Sequence, residues 1–195
     1  GFPRELPGHS VRPEVKELER LLLQSRNRTD VNKTVIEELG FSQRVWNAKK
    51  ERTEVSFYCG IDSPWGGPNS CLLEPTREQP LRERLLSASV QTGVLTSMIT
   101  AWDPDFAIAS SSEMVDLVQQ HKSEVRVGWL TYLSRRLGTV PPLPAPVRIE
   151  PVGTLGWLLS LSSEPMTAAH PEHVAFTLRV RELLDRAGLI ARPEP

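Results

Sequence analysis

The sequence predicts an α+β protein, a single domain with a largely antiparallel sheet flanked by helices. Three observations predict it. Segments of alternating hydrophobicity are interspersed with segments of helical spacing, without the regular strand–helix–strand repeat of a parallel sheet. Candidate strands are followed by Gly- or Pro-bearing turns that bring the chain back beside itself. The chain has 195 residues, 39% apolar and 24% charged, which is enough for one hydrophobic core and too short to require two.

The elements follow in order. Residues 1–10 carry two prolines and read as an extended arm. From Val11 the apolar spacing becomes helical through Val15, Leu18 and Leu22, with Pro13 and Glu14 in a first turn, and it fades by Asn27. Residues 30–39 predict a shorter helix, capped by Asp30 and stopped by Gly40. Strands are expected over 41–48 and 54–59, with Val55, Phe57 and Cys59 on one face and Ser56 and Tyr58 on the other. A Gly/Pro loop then returns the chain as a strand over Ser70–Glu74. Ser87 caps a helix through Ala101 with Val94, Leu95, Met98 and Ile99 inward, and Asp103-Pro104 ends it. A strand over Phe106–Ser110, a helix over Ser112–Gln120 and a strand over Glu124–Leu133 come next. A proline-rich connector spans 138–146, and a hairpin turns at Gly153-Thr154. The last helix opens at His170-Pro171, buries Phe176, Val180, Leu183, Leu184 and Ala187, and stops at Gly188.

The net charge of −1 is unevenly spread. Residues 1–52 hold 11 basic and 8 acidic side chains, residues 53–125 hold 4 and 10, and residues 126–195 hold 8 and 6. The middle third is the acidic part, and no basic stripe marks a nucleic-acid surface. No apolar run is long enough for a membrane span, and the first residues lack the basic and apolar regions of a secretion signal, so the expected location is the cytoplasm. Two cysteines are too few for a disulfide scaffold, and both are expected to be reduced thiols.

Motifs that would carry chemistry are weak. His170 and His173 are three apart, but no further ligand with metal spacing accompanies them, so neither a metal nor a cofactor is expected. Gly66-Gly67 lacks the Lys-Ser/Thr of a phosphate loop, and Ser110–Ser112 lacks a nucleophile elbow, reading instead as a strand end and helix cap. A small hydrolase using Asp103, Asp105 or His173 is the alternative reading; for the aspartates the simpler one is a turn at Asp-Pro. Trp46, Trp102, Trp129 and Trp157 lie in or beside regular elements and are expected in the core. Trp65 stands apart, among Gly and Pro in the segment CGIDSPWGGPNSC. Its ring either packs onto its own sheet or is presented outward, as interface anchors are.

Taken in order, SFYCG with NSCLLEP, AWDPDFAIAS, VGWLTYLSRRLG with LPAPVRIEPV, and HPEHVAFTLRVRELLDRAGLI resemble the bacterial immunity protein 52 family over residues 53–190. Members usually begin with a strand before the first long helix, and no such strand is evident here. The resemblance implies an α+β protein encoded beside a polymorphic toxin, often one delivered by type VI secretion and bearing a restriction-endonuclease-like nuclease domain. It implies a partner, the toxin, which the protein binds and neutralises in the cytoplasm, and it supplies no catalytic residues. A nuclease cleft is basic, so an acidic inhibitor face is expected. Asp62, Trp65, Glu74, Asp103, Asp105, Glu113 and Asp116 are the candidates for it.

Overall fold

The computed structural model describes residues 14–47, 51–63, 67–120 and 125–190. The expected arm over residues 1–10 and the ring of Trp65 lie outside them. The chain divides into two compact units, residues 1–83 and 84–195, and both combine helix with antiparallel sheet.

In the first unit, helix α1 spans Val15–Gln24. Strands β1 (Phe41–Trp46), β2 (Glu54–Cys59) and β3 (Ser70–Glu74) form an antiparallel sheet in the order β1-β2-β3. β2 and β3 have the expected bounds and β2 the expected alternation, while β1 ends at Trp46, short of the expected residue 48. The helix expected over residues 30–39 is absent. There the chain makes a narrow turn, with the Thr29 amide donating to Thr34 O at 2.9 Å and an Arg28–Val35 bridge, followed by a 3-10 turn over Glu37–Leu39. Val31, Thr34, Val35 and Ile36 are β-branched, and a hydrogen-bonded turn suits them better than a short isolated helix. Gly40 does end the segment, at φ +55°. A Cβ there would stand 2.2 Å from Cys59 O, so only glycine lets β1 enter beside the end of β2.

The boundary between the units falls within helix α2 (Leu81–Leu86), which the sequence pattern did not reveal. The second unit continues with α3 (Ala88–Trp102), β4 (Phe106–Ala109), α4 (Ser112–Val118), β5 (Leu130–Ser134), β6 (Arg148–Val152), β7 (Gly156–Ser160) and α5 (Pro171–Arg186). Its sheet is antiparallel throughout, in the order β4-β5-β7-β6. Ser111 Oγ accepts from the Met114 amide at 3.2 Å and caps α4, as the serine cluster predicts. The strand expected from Glu124 starts only at Leu130. Before it, Val125, Val127 and Trp129 are buried outside the ladder, with the Val125 amide donating to Ile190 O, and Gly128 packs against Ala109 O.

Every fully buried apolar side chain among the described residues belongs to this second unit. Leu95 and Ile99 of α3, Met114 and Val118 of α4, and Val180 and Leu184 of α5 pack around Leu130, Tyr132, Leu133, Leu158 and Leu159. Thr177 and Arg181 are also buried on α5, where the apolar spacing pointed only to its aliphatic residues, and Ala187 is exposed. The Thr177 hydroxyl donates to His173 O at 2.8 Å, which satisfies it within the helix.

Candidate interaction site

The tryptophans depart most from expectation. Trp129 is buried, with Nε1 donating to Gln91 Oε1 at 3.2 Å, and Trp157 is half-buried with the Arg135 guanidinium 4.8 Å from its ring. Trp46 and Trp102, expected in the core, are 38% and 45% exposed. Trp46 lies on the face of the first sheet that also carries Tyr58 and Leu72, both exposed, and its ring is covered by Arg52 at 4.9 Å. Beside it Glu54 is buried between two cations, Arg44 Nε at 2.7 Å and Arg52 Nη2 at 2.6 Å. The opposite face carries Phe41, which lines an apolar groove of about 340 Å³ with Val15, Leu18, Leu22 and Leu23 of α1.

Trp102 is the last residue of α3. Asp103 follows in the left-handed region (φ 43°, ψ 56°), its amide donating to Ile99 O at 2.9 Å. That conformation is uncommon for a residue other than glycine, and aspartate is among those that tolerate it. Pro104 then prevents the helix from continuing. Antiparallel pairing of Phe106 with Leu133 brings Arg136 to the same end of the sheet. Arg136 Nη1 donates to Asp103 Oδ2 at 2.8 Å, Nη2 to Asp103 O at 2.7 Å, and Nε to Asp105 Oδ1 at 3.3 Å. The two carboxylates raise the Arg136 guanidinium above its ordinary value, Asp103 chiefly. Below them, burial pushes the Tyr132 phenol up, and Ser134 partly opposes the rise.

The remaining candidates fall elsewhere. Glu113 and Asp116 point outward from α4, next to Leu117, which is 56% exposed. They lie beyond the far end of β4 from Asp105, a strand of four residues or roughly 13 Å. Asp62 and Glu74 are exposed in the first unit, where the Asp62 amide donates to Glu38 O at 2.9 Å. Asn69 braces the loop before β3, its Oδ1 accepting from the Ile61 amide at 2.9 Å. Sequence reasoning thus found Asp103 and Asp105 but not Trp102 or Arg136, whose pairing spans 33 residues. Of the residues named for a hydrolase, His173 Nδ1 accepts from the Thr167 amide at 3.1 Å, and Arg136 pairs with both aspartates. Among the described residues no three His, Cys, Asp or Glu side chains are placed to share a metal ion.

Cys59 and Cys71 are free thiols. Phe57 is the residue directly opposite Cys71, so the two cysteines share a face but are diagonal neighbours. Diagonal side chains stand about 7 Å apart, too far for the roughly 3.8 Å between Cβ atoms of a disulfide. Burial raises both thiols above their ordinary value. Two thiols are therefore expected to titrate after denaturation without reductant, and alkylation of the native protein at neutral pH should be slow. A titration that finds neither would show a bond between them.

The corner at Trp102 thus presents an exposed tryptophan and an arginine, types enriched at protein interfaces, together with two aspartates, a type depleted there. Residues 6–193 match the family model described as Immunity protein 52, and the chain belongs to that family. The match takes in most of the N-terminal region as well as residues 53–190. A search of curated proteins found no match.

Proposed function

We propose that this chain is an immunity protein that acts in the cytoplasm, where it binds a nuclease-type toxin encoded beside it and neutralises it without catalysis of its own. Membership of the immunity family over residues 6–193 carries the reading. The charge distribution supports the nuclease class: ten acidic and four basic side chains in residues 53–125 would attract a protein whose own substrate is a polyanion. Among the described residues no helix is long and apolar enough to cross a membrane, which fits a partner met in an aqueous compartment.

Co-expression tests this directly. The toxin domain encoded next to the gene should arrest growth alone, lose its toxicity when this chain is present, and co-purify with it. Added in vitro, the chain should abolish DNA or RNA cleavage near equimolar ratio. Rescue without nuclease activity in the toxin would retain the immunity role and remove the nuclease class. Toxicity that persists despite soluble, folded chain would remove both.

A further inference from the structure

We propose that Trp102 is the anchor of the toxin contact, seating in an apolar pocket whose rim is basic, with Asp103 and Asp105 facing that rim. The proposal rests on the reading of the chain as an immunity protein and goes further by naming the contact and the chemistry of its partner.

Three observations carry it. First, Trp102 is 45% exposed although α3 is rooted in the core through Leu95 and Ile99. A large ring whose backbone is already fixed costs little further ordering on binding, and tryptophan is enriched among residues that dominate interface energy. Second, the charges beside it are held in place. Arg136 engages one oxygen of each aspartate and the Asp103 carbonyl, and all three side chains are about half exposed. Two carboxylates against one guanidinium leave a net charge of −1 at a fixed position. Third, charge separates this tryptophan from the other exposed one. Trp46 is covered by Arg52, with Arg44 beside it, and the carboxylate that both arginines hold, Glu54, is buried. On that face the two arginines are balanced by Glu54 and by the exposed Glu74 opposite it, so no net charge draws a basic partner to Trp46, whereas the net −1 beside Trp102 does.

The test is the affinity of Trp102→Ala and Trp46→Ala for the purified toxin domain encoded next to the gene, rendered inactive. Trp102→Ala is expected to weaken binding about 30-fold or more, the scale of a hot-spot residue. More than half of the Trp102 surface is covered, so its thermal midpoint should fall somewhat, and binding is compared at a temperature where both chains are folded. Trp46→Ala should stay within about 3-fold. The double variant Asp103→Asn, Asp105→Asn keeps acceptors for Arg136 while removing the charge, and should slow association and flatten its salt dependence. Binding by Trp102→Ala within about 3-fold of the unmodified chain overturns the proposal and leaves the immunity role intact. If Trp102→Ala fails to fold, amide exchange of the unmodified chain decides: protection of residues 99–106 on adding toxin supports the contact, and unchanged exchange there overturns it. No binding by the unmodified chain would instead overturn the functional reading, and this contact with it.

Discussion

Replacing Gly156 by alanine is expected to destabilise the second unit by about 3 kcal/mol, a large effect for adding one methyl group. Gly156 opens β7 between two partners, Ser134 of β5 and Val152 of β6. A Cβ there would sit 2.2 Å from Leu133 O and 2.7 and 2.8 Å from the Tyr132 ring. The carbonyl belongs to the adjoining strand and the ring is fully buried, so neither can move aside cheaply. Gly93 in α3 has nothing within 4 Å of the same added atom. Gly93→Ala should therefore stabilise by roughly 0.5–1 kcal/mol, the ordinary helix preference of alanine over glycine. Urea unfolding of the two variants should move in opposite directions; a Gly156→Ala midpoint equal to that of the unmodified chain would mean β7 can open there.

Leu159→Ala is the second large effect. Leu159 is fully buried in β7 between Thr131 and Ile149 and belongs to the core cluster. Truncation removes apolar burial and leaves a cavity, at about 2–5 kcal/mol. Leu72→Ala, on an exposed face of the first unit, should stay within about 0.5 kcal/mol. Equal losses at the two positions, measured by denaturant unfolding, would contradict this distribution of the core.

The strands and caps were legible because they are local. Alternation fixes β2, Ser111 and Pro171 mark helix starts, and Gly40, Gly153 and Gly188 occupy positive φ at ends and turns. The turn at residues 29–34 was not legible, because caps and apolar spacing mimic a helix there while side-chain and backbone bonds favour a turn. Tryptophan burial was not legible either. Whether a ring on a helix or strand is covered depends on what packs against that face, and neighbouring residues do not encode it. Trp46 and Trp102 were placed in the core on position alone, and both are exposed. The Asp103–Arg136 network exists only once β4 and β5 pair, so no spacing motif announces it.

That network separates shape from charge. Arg136 uses the Asp103 carbonyl, which any residue supplies, and one oxygen of each carboxylate, which asparagine also offers. Asparagine is also at home in the left-handed conformation that Asp103 adopts. Within a lineage this corner can therefore drift from acidic to neutral without dismantling the helix end or the guanidinium fork. On the proposed contact, selection can act on electrostatics here while the scaffold stays constant, and Arg136 is the position where drift would cost both.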